Sequence, residues 1–271
     1  IVDNVENGVF HGCTNLKEEK FATGIKSIPG GILYGCTGVE KVTIPDTVTT
    51  IGTLAFAWCP NLSSITLPDA LTTIEGSAFW DCTKLSSVTL PKQVAEIGGG
   101  AFRGCSALTN VTLNEGVMLG WDVFEGCTSL VSIDIPKAVT TEDANGVFEG
   151  CTNLKEVNFA VGIKNIPGGI LKGCEGIETI MIPDTVTTIE SWAFANCTKL
   201  SAITLPKQVT EIGACAFRGC SALSSVTLNE GLTYLGGEAF GGCTSLVSID
   251  IPKTVTTTGT RQLYDDKEHG A

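Results

Sequence analysis

The side chains most able to do chemistry here are thiols: twelve cysteines against two histidines in 271 residues. Metal sites draw their ligands from Cys or His pairs about two to four residues apart. Eleven of these cysteines instead form a ladder: Cys13, Cys36, Cys59, Cys82, Cys105, Cys127, Cys151, Cys174, Cys197, Cys220 and Cys243. They are spaced by 23 residues, except for 22 before Cys127 and 24 before Cys151. His11 and His269 lie near opposite ends. Equivalent atoms on neighbouring parallel strands are about 4.8 Å apart, whereas a disulfide wants Cβ atoms at about 3.5–4.5 Å and turned toward each other. The ladder also has an odd number of members. Its members therefore read as buried free thiols acting as small hydrophobes, and no metal or cofactor is expected. Cys215 breaks the phase, five residues before Cys220, in a slot held elsewhere by Ser77, Gly100 or Trp192. That slot should face outward, which makes Cys215 the expected most reactive thiol.

Other chemistries find no foothold. General acid–base work wants His or buried carboxylates, but Asp and Glu are scattered over variable positions. There is no Gly-x-Ser-x-Gly elbow and no phosphate loop ending in Lys-Ser or Lys-Thr. Gly98-Gly99-Gly100 is a turn with no such residues after it, and the calcium-binding nonapeptide of parallel β-helices is missing too. The chain reads as a non-enzyme. A net charge of -12 and a pI near 4.6 repel phosphate, so nucleic acid and anionic membranes are poor partners. The same acidity is common in plain soluble proteins. No apolar run reaches the roughly 18 residues of a membrane-spanning helix. Ile1-Val2-Asp3-Asn4 is not a signal peptide and starts in mid-repeat, as a processed chain or an excised fragment would.

The cysteine spacing is the phase of a repeat. One unit reads Cys-Thr-x-Leu-x-x-Val-x-Leu-Pro-x-x-Val-x-x-Ile-Gly-x-x-Ala-Phe-x-Gly. A longer period lies over it: Ile25 to Leu33 return as Ile163 to Leu171, an offset of 138 residues, and Ala101 to Leu108 return as Ala216 to Leu223, an offset of 115. This is a block duplication with one unit lost or gained, which a stack tolerates because each unit touches only its neighbours. In the unit from Cys82, Val88 and Leu90 alternate with Ser87 and Thr89, the period of a strand with one buried face. Pro91 ends that strand, having no amide proton to give. Val94 and Ile97 form a second short extended piece. Ala101-Phe102-Arg103-Gly104 then makes a tight helical turn with Phe102 inward. No unit can bury its apolar face alone, so Leu should stack on Leu, Phe on Phe and Cys on Cys. The expectation is one solenoid over residues 1–260, of about eleven units of 22–24 residues, followed by a tail at 261–271.

The recurring Ala-Phe-x-Gly-Cys-Thr/Ser-x-Leu-x-x-Val/Ile-x-Leu/Ile-Pro run resembles the BspA-like class of leucine-rich repeats, over about residues 1–258. The resemblance implies a leucine-rich-repeat solenoid. It is a right-handed, curved stack of short parallel β-strands with tight helical turns, mainly β with little regular α-helix. It also implies exposure at the cell surface or secretion, partners among host or matrix proteins, and no chemistry.

Departures from the pattern carry information. Glu19 stands where Val157 stands six repeats later, as suits a frayed or capping first unit. Asn114 and Asn229 replace the strand-ending proline. Glu142 sits in the 24-residue unit, whose loop should bulge. One outward strand position reads Lys20, Thr43, Thr66, Thr89, Thr112, Asp134, Asn158, Met181, Thr204, Thr227 and Asp250. Two residues earlier come Ser64, Ser87, Asn110, Ser132, Ser225 and Ser248. Thr simply suits an exposed strand. The functional alternative is a flat, polar, weakly acidic platform for a protein or glycan, comprising Thr43, Thr66, Thr89, Thr112, Asp134, Asn158, Thr204, Thr227 and Asp250. Trp58, Trp80 and Trp192 sit beside the Phe-bearing turn and Trp121 in the short unit, either as packing or as hot spots. Two classes of function remain: an adhesin-like recognition module, expected to be monomeric, and a scaffolding segment of a larger protein without a dedicated ligand. An intracellular scaffold is a third.

Overall fold

The computed structural model describes residues 8–142 and 146–259. The tail at 261–271, His269 and the 143–145 stretch of the 24-residue unit lie outside the described residues.

Ten complete coils run between Cys13 and Cys243. Nine of them lay down a main strand, all ten a second short strand and a run of turns, and no helix occurs among the described residues. Every strand pairing is parallel. Register follows the repeat, so that Val42 sits beside Ile65 and Ile51 beside Ile74. Alternation predicts this: an apolar side chain must fall on the apolar side chain of the next coil, because a slip by one residue would turn the whole set to solvent. Second strands form a six-stranded sheet from Ser27–Ile28 to Thr140–Thr141 and a five-stranded sheet from Asn165–Ile166 to Thr257–Gly259. The break between them falls at the 24-residue unit. Glu142 there is exposed and its amide donates to the Leu119 carbonyl.

The Phe-bearing stretch is a tight turn used twice over. The amides of Ala55 and Ala57 close turns onto Gly52 and Leu54, three residues back. Those of Leu54, Phe56 and Trp58 reach instead to the carbonyls of Gly76, Ala78 and Trp80 in the next coil. Alternate amides thus bend the chain and staple the coils. The bend needs a left-handed residue just before each ladder cysteine. Gly104 and Gly126 supply it without strain (φ 72°), whereas Trp58 and Asp81 adopt φ of 59° and 55°, a conformation that costs an L-residue about 1–2 kcal/mol.

Columns of like side chains fill the core. Phe56, Phe79, Phe102, Phe124 and Phe148 stack with centroids 5.1–5.5 Å apart. After Leu171 the column resumes as Phe194, Phe217 and Phe240. Each buried ring contributes roughly 1.5–3 kcal/mol, which the shared column makes available to two coils at once. Ten of the eleven ladder cysteines are buried; Cys13 is exposed, which corrects the expectation of a buried thiol at that slot. The thiols are more than small hydrophobes. Each buried Sγ donates to a carbonyl of the coil before it, as Cys82 does to Phe56 and Cys105 to Phe79, both at 3.2 Å. A sulfur hydrogen bond is weak, but it recurs along the whole column.

Two departures resolve into contacts. Where proline is missing, Asn114 Nδ2 donates to the carbonyls of Pro91 (2.6 Å) and Val94 (3.0 Å). Asn229 does the same to Pro206 (2.8 Å) and Val209 (2.9 Å). The amide side chain replaces a stiff ring with a clamp onto the preceding coil. Glu19 is half-buried beside Val42 in the strand Glu18–Lys20.

Candidate binding surface

The main strands set the surface. Pleating sends Val42, Val88 and Ile133 into the core and the residues next to them out,. Thr43, Thr66, Thr89, Thr112, Asp134, Asn158, Thr204, Thr227 and Asp250 are all exposed, as are Ser64, Ser87, Asn110, Ser132, Ser225 and Ser248. The solenoid brings these residues into two adjacent rows one coil apart, and Asn158 Nδ2 donates to Asp134 Oδ1 at 3.0 Å. The rows are polar and open, with no convergent acid, base or nucleophile.

One coil interrupts them. Among interior coils, only the one carrying residues 179–182 lacks a main strand in the described structure. The strand before it, Glu156–Phe159, pairs only with Ser132–Ile135. The strand after it, Ala202–Thr204, pairs only with Ser225–Thr227. The amides of 179–182 donate to no backbone carbonyl among the described residues, although Glu178 O still receives Ser201 N at 3.2 Å. A groove of about 720 Å³ opens here, lined by Thr179, Ile180, Met181, Ala202, Thr204 and Lys207 among others. A second, of about 410 Å³, lies on the other side of Met181 against Asn158 and Phe159. Met181 is 86% exposed and Val161 94% exposed. Sequence reasoning placed Met181 in the outward row but gave it no weight, and it missed Val161. The signal was available: the slot of Val161 holds Asp46, Asp69, Lys92, Glu115, Lys137, Asp184, Lys207, Glu230 and Lys253 in other coils.

The turn side carries the aromatics and most of the ion pairs. Trp58 is 46% exposed and meets Trp80 edge-on at 5.7 Å. Trp192 lies between the Lys172 ammonium (5.9 Å) and the Arg218 guanidinium (5.7 Å). Trp121, 42% exposed, rests on the backbone at Gly99, where any Cβ would overlap the indole. The glycine run at 98–100 is therefore a seat for Trp121 as well as a turn. Arg103 bridges Glu125 at 3.0 Å, Lys172 bridges Glu149 at 3.5 Å and Arg218 bridges Glu238 at 3.0 Å. Such partly exposed pairs are worth a few tenths of a kcal/mol each. Burial raises the Glu125 carboxyl, with Arg103 opposing and Asp122 and Glu149 adding to the rise. Burial also raises Asp81 against the pull of Arg103.

The thiols divide by environment. Burial lifts Cys59, Cys151 and Cys220 to about 12 and Cys82, Cys105, Cys127, Cys174 and Cys197 well above the ordinary range. Cys215 is half-buried, in the left-handed region at φ 57°. Burial and the Glu238 carboxylate raise its pKa, and Arg218 opposes them. Cys13 and Cys215 are the two thiols that lie outside the buried column.

Comparison with known proteins agrees with this architecture. The family model described as BspA type leucine rich repeat region (6 copies) matches residues 2–109, 26–145, 73–201 and 141–268. No curated protein sequence matches the chain. Among solved structures, the leucine rich repeat protein TpLRR of T. pallidum is 28% identical, with a TM-score of 0.54 over 61% of this chain and 79% of that one. The pneumococcal vaccine antigen PcpA is 20% identical, with a TM-score of 0.62 over 92% of this chain and 70% of that one; this is a likeness of fold. A leucine-rich repeat protein from Bacteroides ovatus is 26% identical over 90% of this chain and 81% of that one, with a TM-score of 0.47. Matches that run together from residue 2 to residue 268, on a stack whose cysteine and phenylalanine columns keep the repeat in register, place this chain in the BspA-type leucine-rich-repeat family.

Proposed function

We propose that this chain is a non-enzymatic binding module that engages a protein or glycan along the outer face of its main sheet, as part of a secreted or cell-surface protein. The observation that carries the reading is the pair of exposed, mainly polar rows running from Thr43 to Asp250, broken at Met181 and Ala202, without a charged cluster or a catalytic constellation. A solenoid of this kind offers an extended rigid platform, and affinity there comes from many shallow contacts held in fixed geometry. The acidic surface favours partners that are neutral or basic over nucleic acid. The extracellular placement rests on family membership, and the chain acts as a monomer in this reading.

The test is capture from a panel of matrix proteins and immobilised glycans, using the full chain and a Thr89→Glu/Thr112→Glu variant. Both positions are exposed, so the variant keeps the fold. Capture lost in the variant supports the reading. Capture of nothing in the panel, or capture indifferent to these charges and to charges placed at Thr204 and Thr227, overturns it and leaves a scaffolding segment.

A further inference from the structure

We propose that the open rung at 179–182 is a docking groove for an extended polypeptide segment, which completes the interrupted ladder with its own backbone. The proposal deepens the reading of the main sheet as a binding face by naming one place on it and one class of ligand.

Three independent features of that place meet. The first is backbone. The strands Glu156–Phe159 and Ala202–Thr204 each pair on one side only, and the amides of 179–182 between them have no backbone acceptor among the described residues. Unpaired strand edges are templates for an added strand. Ser64–Thr66 and Ser132–Ile135 also pair on one side only, but among the described interior coils this is the place where a whole rung between two strands is unpaired. The second is shape. The larger groove follows the chain direction, with residues 179–184 on one wall and 202–208 on the other. At about 3.3 Å per residue, six residues of wall span roughly 20 Å, the length of an extended hexapeptide. The third is side-chain chemistry. Ile180 and Ile182 are half-buried where the matching Val42 and Ile44 are buried, Met181 stands free between the two grooves, and Val161 replaces a charge one coil earlier. Methionine is flexible and polarizable, and it suits contact with apolar side chains of varied shape. Asp184 and Lys207 close the same end with opposite charges, which leaves no net field to select an ion. A sugar would find no aromatic face in the larger groove, whose polar groups at Thr179, Thr204 and Gln208 flank thioether and aliphatic side chains, and a nucleic acid would meet the net negative charge of the chain as a whole. An extended peptide with apolar residues at alternate positions satisfies both the backbone groups and the apolar wall.

The experiment pans the full chain against displayed random peptides of about a dozen residues. Enriched peptides are then measured as synthetic ligands on three variants: Ala202→Trp, which fills the groove from an exposed position, Met181→Asp, and Thr89→Glu/Thr112→Glu. The expected result is a loss of about tenfold or more with the first two and none with the third. N-methylation of alternate peptide amides should cost about as much in one register and little in the other, a signature that side-chain contact alone does not give. Several results overturn the proposal: no enrichment above the Ala202→Trp control, equal loss in both N-methyl registers, or self-association of the chain abolished by Ala202→Trp, which would make a second copy the occupant. Peptides lost on Thr89→Glu/Thr112→Glu but kept by Ala202→Trp would sink this groove while upholding the wider face.

Discussion

Residues 44–51 and 182–189 are the same eight amino acids, Ile-Pro-Asp-Thr-Val-Thr-Thr-Ile, in two copies of one unit. Beyond the main strand the two coils behave alike. Thr47 Oγ1 donates to the Ile25 carbonyl and Thr185 Oγ1 to that of Ile163, each at 2.7 Å. Val48 and Val186 are fully buried, and Phe56 and Phe194 hold the same place in the turn column. The preceding coils even share a break in that column, at Leu33 and at Leu171. Yet Lys41–Thr43 pairs on both sides, with Glu18–Lys20 and Ser64–Thr66, while 179–181 pairs with neither neighbour. The turn and the second strand therefore hold a coil in the stack without help from the main strand, which is the part of each unit free to open. Inside that strand the copies differ as Lys41 against Thr179, Val42 against Ile180 and Thr43 against Met181. Isoleucine fills the Val42 slot in paired strands too, at Ile65, Ile133 and Ile203. Met181 is the apolar member of an otherwise polar outward row, and an unbranched chain where Thr43 is β-branched,.

The largest test concerns what the copies share. Ten buried thiols keep their protons in the fold, with Cys59, Cys151 and Cys220 raised to about 12, whereas an unfolded thiol ionises near about 8.5. A raised folded pKa means stability that is complete below about 8.5 and lost as pH climbs toward 12, at up to about 1.4 kcal/mol per thiol per pH unit. Urea titrations from pH 7 upward should show a steep alkaline collapse, and replacing several ladder cysteines with alanine should flatten it. A pH-independent midpoint up to 10 would contradict the buried column.

Next in size, Phe56→Ala and Phe194→Ala should each cost about 3–5 kcal/mol and agree to within about 1 kcal/mol, since both rings stack in closed turns. A much cheaper Phe194→Ala would mean that the whole second coil is loose, and not its strand alone. The smallest effect is the most specific: Met181→Thr should stabilise by a few tenths of a kcal/mol and Thr43→Met should cost as much, within the span of about 1 kcal/mol that β-propensity allows. Chemical denaturation of the pair, with the reciprocal double variant, measures both.

The sequence exposed whatever is periodic. Cysteine and phenylalanine recur at the repeat length, so their columns were legible, and the alternation around Val88 placed Thr89 and its row outside. What a period cannot carry was hidden. The thiols' carbonyl partners lie 25–27 residues away, across a coil boundary that no motif marks. The exposure of Cys13 depends on whether a coil covers it, which spacing does not record. Trp121 on Gly99 is a contact between two irregular positions, as is the clamp made by Asn114. The open rung was hidden most completely, because Thr179-Ile180-Met181-Ile182 alternates as well as Lys41-Val42-Thr43-Ile44, and alternation reports which face is buried without reporting whether the neighbours' hydrogen bonds close.

Amide hydrogen exchange on the native chain tests that difference most directly. The amides of 179–182 should exchange at least about a hundredfold faster than those of Lys41–Thr43, while Val48 and Val186 stay equally protected. Equal protection of the two main strands would contradict the open rung and remove the groove built on it.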